Sequence, residues 1–216
     1  MKPLLTTLFI CLGVLNIFGQ INEYLLLTTL SKSLLIPALF LLVYLTANPS
    51  KKYLWALFFS WLGDLFLIPN GVPYFITGIA CFWITQIGYC HLILKELKHT
   101  SLPALKAPKG RIPLLLLSGY LLLIIYLMIP RLGGLLLPVV LYATTLAFTG
   151  YLSCLLALEK KDINSLFLAM GALLFMLSDS MIAFDAFYFG EKQFDYWVMM
   201  TYIPAQFLIS KRLAIA

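Results

Sequence analysis

Apolar residues run along this chain in long blocks, and polar residues come mostly as short punctuation between them. Eight blocks stand out, at about 4–19, 28–47, 53–69, 73–94, 112–130, 135–158, 165–187 and 196–214. Most approach the roughly 20 residues that an α-helix needs to cross a bilayer at a rise of 1.5 Å per residue. The breaks carry turn-forming residues: Asn48-Pro49-Ser50, Pro69-Asn70-Gly71, Gly133-Gly134 and Gly190. The first block follows Lys2 and has the outline of a signal peptide. It lacks a small-x-small cleavage pattern before Gln20, so it is read as a retained helix. The pattern predicts an all-α fold, a polytopic membrane helix bundle with eight transmembrane helices in a single integral-membrane domain over 1–216.

Composition agrees. Of 216 residues, 62% are apolar and 11% charged, against about 25% charged in ordinary soluble domains. Mean hydropathy is +0.97. A water-soluble domain of this size is excluded, as are a disordered chain, a collagen and a disulfide-stapled secreted module. Eight spans use roughly 160 residues, so any chemistry lies inside the bundle or at its rim. With the N-terminus inside, twelve of the fifteen Lys and Arg residues fall on the cytoplasmic side and only Arg131 and Lys192 on the other; Lys32 lies within a helix. That bias places both termini in the cytoplasm. The net charge of +6 is therefore topological and does not point to nucleic acid. The basic loop 95–111 is expected against anionic headgroups. Cys11, Cys81, Cys90 and Cys154 form no C-x-x-C pair and read as small packing residues. His91 and His99 are too few for a three-histidine zinc site, and no metal or cofactor is expected.

The informative residues are charges where lipid should be. Lys32, Asp64 and Asp179 fall inside predicted spans, each at an insertion cost of about 2.5–3.5 kcal/mol that pairing, hydrogen bonds or water must offset. Asp64 lies about 18 Å from the cytoplasmic edge of an outward-running helix. Asp179 sits about 14 residues into the outward-running seventh span, and Lys32 near the start of the inward-running second. Three separate segments thus deliver charge to the outer half of the bilayer. Other polar groups recur at helical spacing: Tyr142, Thr145, Thr149 and Ser153; Tyr202 and Gln206; Gly78, Phe82, Gln86 and Tyr89. Gly63 and Ser178, beside the two aspartates, are small enough to let a backbone or ligand approach closely.

Plainer roles fit the same residues. Either aspartate can pair with Lys32 and fix helix register, although an intramembrane ionisable group is a functional candidate by default. Tyr142 and Tyr202 can be packing residues with a satisfied hydroxyl, and the threonines can bond their own helix. Asp185 and Asp195 read as solvated interfacial charges. The four tryptophans need no role beyond packing and anchoring.

The string Phe58-Phe59-Ser60-Trp61-Leu62-Gly63-Asp64-Leu65-Phe66-Leu67 resembles the F-S-x-x-G-D-x-x-L signature of the YhhN-type lysoplasmalogenase family. Gly171 to Ala183, with Ser178-Asp179 at its centre, resembles that family's G-A-x-x-F-x-x-S-D-x-x-x-A signature. Lys32, Pro138 with Tyr142, and Tyr202 with Ala205-Gln206 also match the pattern. Two positions depart from it: Gln86 stands where many members carry histidine, and Ser33 where they often carry proline.

The resemblance implies hydrolysis of the vinyl-ether bond of a lysoplasmalogen, a lysophospholipid, to a fatty aldehyde and a glycerophospho-ethanolamine or -choline. Asp64 and Asp179 would then be the catalytic acid and base, meeting in one poorly hydrated site, a division of labour parallel to that of glycosidases. Tyr142, Tyr202, Gln206, Ser178 and Gln86 would bind substrate or water, and Lys32 would hold the phosphate. The protein is expected as an integral, multi-pass protein among membrane lipids, in the cell inner membrane if the source is bacterial. The competing class is a small transporter using Lys32, Asp64 and Asp179 as a substrate or ion site. Broken helices would favour it, and only Pro37 and Pro204 hint at them. An ester-cutting lipid hydrolase is a third class, but no serine nucleophile with an intramembrane histidine base is present to serve it.

Overall fold

The computed structural model describes residues 2–99, 108–190 and 193–215. All regular structure among them is helical. The elements are α1 (Lys2–Ile21), α2 (Leu25–Ala47), α3 (Lys51–Phe66), α4 (Val72–His99), α5 (Pro108–Leu132), α6 (Leu136–Lys160), α7 (Ile163–Phe184) and α8 (Asp195–Leu213). A 3-10 turn, Gly133–Leu135, joins α5 to α6, and a π-helical turn, Asp185–Phe189, extends α7. Residues 100–107 of the segment 95–111 expected at the membrane surface, Lys106 among them, and also Lys192, lie outside the described residues.

The turn residues do what their chemistry prescribes. Asn48 ends α2 in the left-handed conformation, at φ 49°, and the Ser50 side chain caps α3 by accepting from the Tyr53 N–H. Lys161 ends α6 at φ 53°, and Asp162 caps α7 by accepting from the Ser165 N–H at 3.0 Å. Residues Gly110–Lys160 form an apolar helical stretch of 51 residues, about 76 Å if straight, more than twice the hydrocarbon thickness. Gly133, at φ 48°, turns it back so that α5 and α6 pack against each other.

Five helical stretches among the described residues are long and apolar enough to cross a membrane: Lys2–Ile21, Leu25–Ala47, Val72–Lys98, Gly110–Lys160 and Ile163–Phe189. Of the expected eight spans, the third and eighth miss this standard for different reasons. Helix α3 has 16 residues, about 24 Å. Helix α8 carries Pro204, Gln206, Lys211 and Arg212 within its 19 residues. The surface nonetheless belongs in lipid. Leu25, Leu115, Leu116 and Tyr126 are each more than two-thirds exposed, while Asp64, Gln86, Asp179 and Gln206 are buried. That inverts the arrangement a water-soluble protein requires. Cys11, expected to pack internally, is on this exposed apolar surface instead.

The chain divides into two compact units, one running to Tyr89 and including the residues from Leu213 onward, the other comprising Cys90–Arg212. In the first, α1 packs on α2 and α2 on α3. Helix α4 is in antiparallel register with α3: Gly78 lies against Leu67, Gly63 against Phe82 and Gly88 against Ala56. In the second unit α7 is the central element. Gly171 of α7 comes so close to α8 that an added Cβ would stand 2.8 Å from the Ala205 carbonyl oxygen. Gly150 of α6 lies against Leu173 of α7.

Candidate active site

In the first unit Asp64 is 2% exposed and Ser60, one turn earlier, is fully buried. Gly63 lets the Phe82 ring lie directly on α3, since a Cβ there would be 2.8 Å from two ring carbons. The α4 stripe of Gly78, Phe82, Gln86 and Tyr89 is buried as a whole, as its spacing predicts. The hydroxyl of Tyr89 lies near enough to Asp64 to feel its charge. The Oε1 of Gln86 is buried with no hydrogen-bond partner among the described residues. Gln86 therefore sits on the α4 face between two residues that both address the Asp64 segment.

The depth of Asp64 relative to Lys32 is set by a contact that residue type alone did not flag. Pro37, inside α2, has no N–H, which leaves the Ser33 carbonyl without its helical donor. The indole N–H of Trp61 fills that place, donating to the Ser33 oxygen at 2.9 Å. Helices α2 and α3 are consecutive, packed together and joined by a short turn, so they run antiparallel. Three residues outward from Trp61 is Asp64, and the matching step on α2 leads to about residue 30, about 4.5 Å along the axis. Half-buried Lys32 and buried Ser31 thus lie within a turn of Asp64's level. Trp61 is a structural donor beyond the packing role expected of it.

In the second unit three consecutive residues each engage a different helix. Ser178 donates to the Val198 carbonyl of α8 at 3.2 Å. Asp179, 6% exposed, accepts a hydrogen bond from the Tyr142 hydroxyl of α6. Ser180 accepts from the Tyr120 hydroxyl of α5 at 2.8 Å and itself donates to the Met176 carbonyl. Successive residues on a helix point about 100° apart, so this Ser-Asp-Ser run fans out to three partners. On α8, Gln206 donates from Nε2 to the Tyr202 hydroxyl at 3.0 Å, and Tyr202 stands edge-on to Phe175 of α7. The Tyr202 and Tyr142 hydroxyls lie within electrostatic reach of each other. Asp179, Tyr142, Tyr202, Gln206 and Ser178 are thereby gathered in one unit, and Lys32, Asp64 and Gln86 in the other.

Other polar residues bond nearby backbone. Thr145, Thr149 and Ser153 bond the carbonyls four residues back in α6, the helix-internal role open to them. Asp185 is not solvated: it is 9% exposed and accepts from the Gln193 and Phe194 N–H groups ahead of α8. Tyr120 carries no distinguishing signal in the sequence, since it stands among leucines and isoleucines with only Ser118 and Gly119 as polar or small neighbours.

Residues 27–213 match the YhhN family. The chain belongs to the YhhN family. Among curated proteins it is 30% identical to the lysoplasmalogenase TMEM86A of Bos taurus over 178 residues, 77% of this chain and 67% of that one. No solved structure matches it. Both aspartate segments of this YhhN protein, with Lys32, Tyr142, Tyr202 and Gln206, fall inside the matched residues. With its apolar helices, the match makes the chain an integral, multi-pass membrane protein.

Proposed function

We propose that this YhhN protein is a membrane hydrolase that cleaves the vinyl-ether bond of lysoplasmalogens, with Asp64 and Asp179 as its acid and base. Within a chain of this family, the observation that carries the reading is the burial of both carboxyls, Asp179 bonded by the Tyr142 hydroxyl and Asp64 within electrostatic reach of Tyr89. The bovine relative's name supplies the reaction class. In this reading the chain is one membrane domain of eight spans with both termini cytoplasmic, and the acids lie in the outer half of the bilayer.

The acid protonates the alkenyl carbon farther from oxygen and leaves an oxocarbenium-like cation. Water attacks the carbon next to oxygen as the base takes a water proton, and the resulting hemiacetal collapses to fatty aldehyde and a free glycerol hydroxyl. A hydroxyl donor on Asp179 suits the carboxylate, so Asp179 is the base and Asp64 the acid. Gln206 and Tyr202 support the Tyr142 end of this arrangement, and Lys32 receives the substrate phosphate.

Asp64→Asn and Asp179→Asn, purified separately and shown to be folded, should each lose about 10²-fold or more of aldehyde release, the usual reach of a general acid or base. Near-normal turnover from either variant removes that residue from the mechanism.

A further inference from the structure

Two side chains of α1 present hydrogen-bond acceptors that meet no donor among the described residues. Asn16 is fully buried and donates from Nδ2 to the Thr28 carbonyl at 2.9 Å and to the Ser31 hydroxyl at 3.1 Å. Its Oδ1 is buried with no partner among the described residues, and so is the Oε1 of Gln20. The two residues are four apart, on one face of α1. The contact of Gly19 with Thr28 sets that face against α2. Ser31, which Asn16 holds, is the neighbour of Lys32 and lies at the level of Asp64. Gln20 is one turn farther toward the α1–α2 turn, where Glu23 adds a negative charge. Both oxygens precede the matched family segment, which starts at residue 27.

We propose that Asn16 Oδ1 and Gln20 Oε1 form a subsite for a primary ammonium group, that of an ethanolamine headgroup. Buried carbonyl oxygens call for N–H or O–H donors, and leaving them unmatched costs free energy. A primary ammonium offers three N–H groups, whereas the trimethylammonium of choline offers none. The placement also fits the phosphate position: an ethanolamine nitrogen stands two methylenes beyond the phosphate oxygen, and Lys32 lies within a turn of Asn16's contact. The assignment rests on the lysophospholipid reading above and adds the headgroup that this chain favours.

The test is thermal unfolding of the full chain in detergent with lysophosphatidylethanolamine or lysophosphatidylcholine, ester lipids that report binding without vinyl-ether turnover. Wild type should be half-stabilised by the ethanolamine lipid at about tenfold lower concentration than by the choline lipid, the scale of one charge-assisted hydrogen bond. Gln20→Leu should bring the two midpoints together, and Gln20→Glu should separate them further. Asn16→Leu should act like Gln20→Leu, but it also cuts the ties to Thr28 and Ser31, so Gln20 carries the test. Equal midpoints in wild type, or an unchanged ratio in Gln20→Leu, overturn the subsite. A second arm separates substrate from bulk lipid. If phosphatidylethanolamine in phosphatidylcholine nanodiscs stabilises wild type but not Gln20→Leu with no lysolipid added, the occupant is a membrane lipid and the substrate assignment falls. Because these readouts are of binding, a failed hydrolysis assay with headgroup discrimination intact overturns only the catalytic reading.

Discussion

Trp61 and Pro37 should be energetically coupled, and the coupling is measurable. Trp61→Phe keeps an aromatic ring but removes the N–H that serves the Ser33 carbonyl. That oxygen has no helical donor because residue 37 is proline, so the variant leaves a carbonyl unmatched at a cost of about 1–3 kcal/mol. Pro37→Ala restores a backbone N–H one turn away, which can then donate to the same carbonyl. In the Pro37→Ala background, Trp61→Phe should therefore cost less, by about 1–2 kcal/mol. The lost ring volume is common to both backgrounds and cancels in the cycle. The four proteins can be compared by equilibrium unfolding in mixed detergent micelles, with α-helical signal as the probe. If Trp61→Phe costs the same in both backgrounds, the indole is a packing residue and the antiparallel registration of Asp64 with Lys32 loses its anchor.

Three further outcomes follow from single contacts. Tyr142→Phe should lower aldehyde release about tenfold or more with folding retained, since it deletes a hydrogen bond to a carboxylate worth about 1.5–3 kcal/mol; unchanged turnover would detach Tyr142 from Asp179's role. Gly171→Val places a side chain where a Cβ alone meets the Ala205 oxygen at 2.8 Å and the Ile209 nitrogen at 3.0 Å, so it should destabilise the fold by about 1–3 kcal/mol in the same unfolding assay. Asp162, at the head of α7, is held below the usual carboxylate range chiefly by the Ser165 N–H, with the Ser165 hydroxyl next. Its folded pKa is the lower one, so its contribution is present above the unfolded value of about 3.9 and is lost as pH falls through the folded value. Asp162→Ala should cost about 1 kcal/mol at neutral pH, and the gap to wild type should close below about pH 4; a gap independent of pH would refute the capping role.

The helical, membrane-embedded character of this protein was legible in its sequence because both follow from local quantities. Block length, turn residues and scarcity of charge need no knowledge of what packs where. Asp64 and Asp179 were legible for the same reason: a charge in a long apolar block is conspicuous one residue at a time, and both lie within recognisable signatures. The α4 stripe of Phe82, Gln86 and Tyr89 was also readable, since helical period alone assigns its face. The span pattern was only partly so, because α3 is short and α8 polar, and partners more than apolarity decide where such helices sit.

The tertiary structure decided the partners. Nothing in the sequence separates Tyr120, bonded to Ser180, from the lipid-facing Tyr126 six residues later. Nor does it distinguish Asp185, buried as a receptor for two backbone N–H groups, from an ordinary interfacial acid. The role of Trp61 exists only because a proline on another helix leaves a carbonyl open beside it, and the unmatched oxygens of Asn16 and Gln20 are visible only once α1 lies on α2. Hydrophobic blocks specify that a residue is in the membrane. Whether its polar atoms are satisfied depends on groups distant in sequence, and chain pattern carries no record of those distances.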